Sequence, residues 1–428
     1  MYNIYIYKMA DQLLTTKHAL LSGGGSLYSD MYYSSLNSTG SLCEMTFNNS
    51  QILTLPSLSF GSSVRLQVPN LDFVGNMWLH VRLPNLVQNQ TVCRGWLYGL
   101  LQSVSYTLGS SSTSQITLEG DSILQVALSQ ITDREKRNQV LELAGEEWLE
   151  PLGDNEYLDA YALIPSPFSS FCDKLPIDSN LLSQPITIQL TFRRQDAIYG
   201  GTGARPTQFL VGEVLLRQGE LTNRAMSLRN MMQSNPDLIA TYPFIHHQHF
   251  ETNKFVGVKE SSGSMVSIDL NGFINSDIVN ICFWIVKNSD KYQSNNNSPN
   301  PFYARDMSNI RLVYNGNVLY NAPAKMHKLC NLLPHQGAEG FDYSCIRPGN
   351  VSDFASDPVS CDLVHIDFSR LRSVCLPEQH MYNTMRLSNQ TLKLTFNTPD
   401  TDEYTLYATY SYNSVVEIQN GITSIFMD

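Results

Sequence analysis

Apolar residues recur at every second position along most of the chain. Val64, Leu66 and Val68 alternate with Arg65 and Gln67, and Leu79, Val81 and Leu83 alternate with His80 and Arg82. Successive side chains of a strand point to opposite faces, so this period predicts strands with one buried face. The same alternation marks Val104-x-Tyr106-x-Leu108, Ile186-x-Ile188-x-Leu190-x-Phe192 and the run from Phe209 to Leu216. It resumes at Val266-x-Ile268-x-Leu270, Ile281-x-Phe283-x-Ile285 and Ile310-x-Leu312-x-Tyr314, where Asn315-Gly316 supplies a tight hairpin turn to Val318. Further strands are predicted at Val364-x-Ile366-x-Phe368, Leu392-x-Leu394-x-Phe396 and Leu406-x-Ala408-x-Tyr410. Short strands between turn-rich connections predict an all-β sandwich or barrel.

Two helices interrupt the strands. Thr132 stands three residues before Glu135 as a capping box, and Val140, Leu143 and Ala144 share one face before Trp148. A second helix is predicted where Leu221, Ala225, Leu228 and Met232 fall at helical spacing, with Arg224 and Arg229 on the other side and Pro236 beyond. The Gly/Ser/Tyr-rich stretch 1–42 has no period and is expected to be a flexible arm. Ser289 to Asn300 is expected to be a long exposed loop.

The chain also repeats itself. Val64, Leu66, Val68, Leu71, Leu79, Val81 and Leu83 align without a gap on Val266, Ile268, Leu270, Phe273, Ile281, Phe283 and Ile285. Near the end of each half, Ile188-Gln-Leu-Thr-Phe192 matches Leu392-Lys-Leu-Thr-Phe396, and Leu175-Pro176 precedes the first much as Leu376-Pro377 precedes the second. A match at both ends of two similar units predicts duplication of one β-sandwich. The length of 428 residues also favours two compact units. The expected division is an arm over 1–42, a first sandwich over 43–217, a helical connector over 218–240 and a second sandwich over 241–428.

Several segments resemble one family. His365-Ile-Asp-Phe-Ser-Arg-Leu371 is similar to the Phe-Ser-Arg strand motif of the major capsid proteins of nucleocytoplasmic large DNA viruses and their smaller relatives, the polinton-like viruses. Tyr407-Ala-Thr-Tyr-Ser-Tyr-Asn413, Val415-Val-Glu-Ile418 and Gly421 resemble their closing strand. Val104 to Gly109 with Glu119-Gly-Asp121, Ile164-Pro-Ser-Pro-Phe168, and Gly212 to Leu216 agree in order with other parts of the pattern. The charged run Asp133-Arg-Glu-Lys-Arg137 departs from it. The resemblance carries Phe368, Ser369, Arg370, Tyr412, Asn413 and Gly421 as motif residues. It implies a double jelly roll, two tandem eight-stranded jelly-roll sandwiches with short helices in loops and between the halves. It further implies a homotrimer that tiles an icosahedral shell, localised to the virion and assembled in the host cytoplasm or nucleus. The implied partners are neighbouring capsomers, minor capsid or penton proteins and an internal membrane against the inner face. Loop aromatics Trp96, Phe168, Phe171 and Tyr303 are candidate interface anchors, with simple core packing as the alternative.

Charge narrows the rest. A net charge of −11 argues against wrapping nucleic acid, which needs clustered Lys and Arg, so no specific nucleic-acid partner is expected. The eight cysteines show no C-x-x-C pair, which predicts buried reduced thiols and no structural zinc. No apolar stretch reaches the ~18 residues of a membrane span, so a soluble protein made in the cytosol is expected.

His246-His247-Gln-His249 is the sharpest chemical candidate, since two imidazoles two apart on a strand share a face. Alternation leaves at most two of the three together, too few to hold a metal firmly, so no metal, cofactor or catalytic residue is expected. The loop Gly200 to Pro206 lacks phosphate-loop spacing, and Glu142, Glu146, Glu147 and Glu150 are expected to form a solvated face. The rival readings are an enzyme on two jelly rolls, of glycan-amidase or copper-monooxygenase type, a carbohydrate-binding module, and a viral scaffold protein of the same fold.

Overall fold

A computed structural model of the chain describes residues 43–45, 51–55, 59–70, 73–92, 95–109, 115–119, 122–129, 134–146, 156–166, 177–221, 229–230, 233–234, 239–270, 276–289, 304–323, 363–367, 385–387 and 392–427. The expected arm over 1–42, the loop 290–300 and the motif residues Phe368, Ser369 and Arg370 lie outside them.

The first half contributes β1 (Cys43–Met45), β2 (Gln51–Thr54), β3 (Ser63–Gln67), β4 (Phe73–Leu83), β5 (Gln90–Val92), β6 (Leu101–Thr107), β7 (Gln115–Glu119), β8 (Leu158–Leu163), β9 (Thr187–Phe192), β10 (Tyr199–Gly201) and β11 (Val211–Leu221). Helices α1 (Trp96–Leu100), α2 (Ser122–Ser129) and α3 (Arg134–Leu143) lie between them. The second half contributes β12 (Ile239–Glu251), β13 (Phe255–Val256), β14 (Val266–Asp269), β15 (Ser276–Lys287), β16 (Ala304–Arg305), β17 (Ser308–Tyr314), β18 (Asn317–Ala322), β19 (Leu363–Asp367), β20 (Met385–Leu387), β21 (Leu392–Asn397), β22 (Glu403–Gln419) and β23 (Ile422–Met427).

Both halves follow one path. In the first, β2, β11, β4 and β8 neighbour one another in one sheet, and β3, β9, β6 and β7 in the other. In the second, the corresponding orders are β12, β22, β15, β19 and β14, β21, β17, β18. With eight principal strands per half, each sheet interleaves the beginning and end of its half, which is the wrapping of a jelly roll. The alternation seen in the sequence supplies the cores. Val64, Leu66, Leu79, Val81, Leu190 and Phe192 are buried in one cluster, and Val266, Ile281, Phe283, Leu394, Phe396 and Leu406 in another. Each such side chain contributes roughly 1.5–3 kcal/mol on burial.

The repeat is not copied rung for rung. Val64 pairs with Leu190, whereas its counterpart Val266 pairs with Phe396, two residues beyond the Leu394 that the sequence match puts opposite it. A slip of two residues keeps the inward face inward, so the core tolerates it; a slip of one would not. At the β17–β18 turn, Asn315 and Gly316 both take positive φ, as a tight hairpin requires. The second predicted helix differs from expectation at its start: Leu221 is the last residue of β11 and pairs with Cys43, while Arg229 and Asn230 are helical. Residues 222–238 connect the two long strands β11 and β12. Among the described residues, no helix is long and apolar enough to cross a membrane.

Candidate contact surfaces

Strands β4, β8 and β11 turn Leu79, Val81, Ala160, Ala162 and Val214 inward. Their alternate residues therefore form the outer face of the first sandwich. There His80 Nε2 lies 2.7 Å from Asp159 Oδ1 and Nδ1 lies 3.2 Å from Glu213 Oε2, so one imidazole bridges carboxylates on both neighbouring strands. Tyr161 stacks on the His80 ring at 4.3 Å and 3°. Arg82 donates to both oxygens of Asp159 and stands 5.7 Å above the ring of Tyr157. Partial burial works to raise the Asp159 carboxyl, but the hydrogen bonds from Arg82 and His80 outweigh it and hold the group below its ordinary value. Tyr157 and Tyr161 remain 50% and 38% exposed above this tied network. The network thus holds two exposed aromatics beside a charged base.

In the second half, β12 pairs with β22 at every position. His247 and His249 fall on one face and His246 on the other. His247 Nδ1 is 2.9 Å from the Ser411 hydroxyl, and His249 Nδ1 is 2.5 Å from that of Ser122, which also meets Thr409 Oγ1 at 2.9 Å. Ser122 opens α2 of the first half, so His249 sits at the seam between the sandwiches and stacks there on Tyr407. His246 stacks on Tyr412, and burial pushes its imidazole down to about 4. Among the described residues, no three His, Cys, Asp or Glu side chains converge as a metal cluster would require. The buried Cys282 is a free thiol, raised by burial.

Of the four aromatics expected at interfaces, Trp96 is 1% exposed and belongs to the first core, packed beneath Gly145. Core packing is therefore its role within the subunit. Phe168, Phe171 and Tyr303 lie outside the described residues. Among the motif residues, Tyr412 closes the second core, Asn413 pairs with Ile245 in the ladder, and Gly421 turns the chain between β22 and β23 with φ 78°. Sequence reasoning missed one strong interaction. Arg229 donates from Nε and Nη2 to both oxygens of Asp178, each at 2.8 Å, with Asp178 fully buried. This bidentate pair fastens the connector to the first sandwich.

No protein-family model matches the sequence, and no curated protein matches it. Solved structures do. PBCV-1 VP54, in a crystal structure fitted into a cryo-EM reconstruction of the virophage Sputnik, superposes with a TM-score of 0.61 over 90% of this chain and 98% of its own, at 12% identity. The Faustovirus major capsid protein gives 0.57 over 98% and 99% of the two chains at 8% identity. The mavirus major capsid protein gives 0.54 over 90% and 91% at 9% identity. Its own strand order and tandem repeat, with superposition along nearly whole chains, give this protein the double jelly-roll fold that it shares with the major capsid proteins of Faustovirus and mavirus.

Proposed function

We propose that the chain is the major capsid protein of a double-stranded DNA virus, acting as a structural subunit. The observation that carries this reading is the doubled jelly roll itself, with both halves in the same strand order and similarity to capsid proteins over almost the full length. Two like sandwiches give one subunit two lobes, so three subunits around a threefold axis present six and make a near-hexagonal tile. Such tiles cover the faces of an icosahedral shell. The exposed pair Tyr157 and Tyr161 on the Arg82–Asp159–His80 base is a candidate contact with a neighbouring subunit. Phe168, Phe171 and Tyr303 are further candidates. Interfaces of this obligate kind commonly bury roughly 2,000 Å² or more. Neighbouring capsomers, minor capsid or penton proteins and an internal membrane complete the partners in this reading, and the virion is its location.

Electron microscopy of the purified protein is the test. Hexagonal particles or closed shells are the expected result, and a field of isolated two-lobed monomers at micromolar concentration contradicts the proposal. The enzyme reading makes a different forecast: stoichiometric copper or zinc, lost together with an oxidative or hydrolytic activity when His246, His247 and His249 are all replaced by Gln. The hydroxyl partners of His247 and His249 favour the structural reading.

A further inference from the structure

Strand β22 has 17 residues and, at about 3.3 Å per residue, is long enough to leave one core and reach another. Its residues Tyr404, Leu406, Ala408, Tyr410 and Tyr412 are buried in the second core. Further along, Val416 and Ile418 are buried in the first, and Ile425 of β23 packs against that same cluster. Between Ser414 and Gln419, β22 is flanked by β12 on one side and β23 on the other. A three-stranded tongue thus projects from the second sandwich and closes the first.

Polar contacts seat the tongue. The buried Thr423 hydroxyl donates to the carbonyl of Leu108, and the Ser183 amide donates to the carbonyl of Gly421 at 2.9 Å. Gly421, with φ 78°, approaches so closely that a Cβ would stand 2.9 Å from Cβ and 3.0 Å from N of Ser183. On the other side, a Cβ on Gly109 would stand 3.1 Å from Thr423 Oγ1. Glycine is the residue that permits both the left-handed turn and the approach.

We propose that this tongue is a strap that completes the first sandwich. Strands β1 to β11 are synthesised first, yet their core stays open until residues 414–427 have been made. Chains interrupted within the second sandwich then carry an unclosed first core and cannot supply a finished subunit, so completion of the fold is tied to completion of these residues. The inference concerns the folding of the subunit and stands apart from what the subunit assembles into.

Hydrogen exchange on the full-length protein tests it, independently of any assembly. Ile418→Ala removes a buried side chain that lies in second-half sequence but in the first core. Exchange in 101–107 and 187–192 is expected to accelerate roughly 30-fold or more. Leu394→Ala, in the second core, is the control and is expected to act chiefly on 308–314 and 392–397. Should Ile418→Ala prevent folding, Ile418→Val applies the same test with a several-fold acceleration in the same first-half strands. If either variant accelerates only 239–251 and 403–427 and leaves 101–107 and 187–192 unchanged, the strap is refuted.

Discussion

Asp178 and Arg229 are far apart in the chain, and no local pattern pairs them. The sequence placed Arg229 on the face opposite Leu221 and Ala225, where solvent is the default. Its burial depends on a carboxylate presented by a turn of the first sandwich, where the Asn180 amide also donates to it at 3.1 Å. Removing one partner strands the other in a dry site. Asp178→Asn is expected to destabilise the protein by about 3–5 kcal/mol, read from denaturant midpoints, with the double variant Asp178→Leu, Arg229→Met recovering part of the loss. His246 makes a second residue-level prediction. Its folded value near 4 lies below the unfolded 6.5, so the unfolded chain takes up the proton first as pH falls. The contribution is therefore whole above pH 6.5 and drains as pH drops toward 4, by on the order of 1–3 kcal/mol. Thermal midpoints should fall across that window, and His246→Phe, which keeps a ring against Tyr412, should flatten the fall.

Alternation made individual strands legible because burial on one face leaves a local mark. Where a strand goes next leaves none. The closing strand that the sequence places over Tyr407–Ile418 is one strand, Glu403–Gln419, but nothing in its alternation shows that its side chains serve two cores in succession. Likewise α2 carries buried Ile123, Leu124, Val126 and Ala127, and the sequence does not mark it, since a short apolar run does not distinguish helix from strand. For Trp96 the sequence leaves interface anchor and core packing both open, because nothing nearby announces Gly145 above it. Residues 1–42 raise a separate expectation. Deleting them should leave soluble subunits that still associate while impairing particle formation, compared by light scattering and microscopy. Loss of association itself would assign that stretch to the subunit core.

At the scale of the whole molecule, duplication was readable as matched phase at both ends of two units, and the shared strand order follows from it. The seam was not readable: it joins Ser122 to His249, Leu108 to Thr423 and Ser183 to Gly421, contacts that unite distant parts of the chain. Trimerisation is expected from the proposed hexagonal tile, which needs three two-lobed subunits around one axis. Light scattering at micromolar concentration should give three times the subunit mass, and a monodisperse monomer would count against it. The unbroken pairing of β12 with β22, from Ile239–Gln419 to Glu251–Tyr407, has a mechanical meaning. A hydrogen-bonded ribbon running through both lobes acts as a splint: it resists bending at the waist and lets its own twist set the angle between the lobes. Curvature in any shell made of such splinted pieces must then arise at the joints between subunits, where a degree or two of tilt strains no backbone.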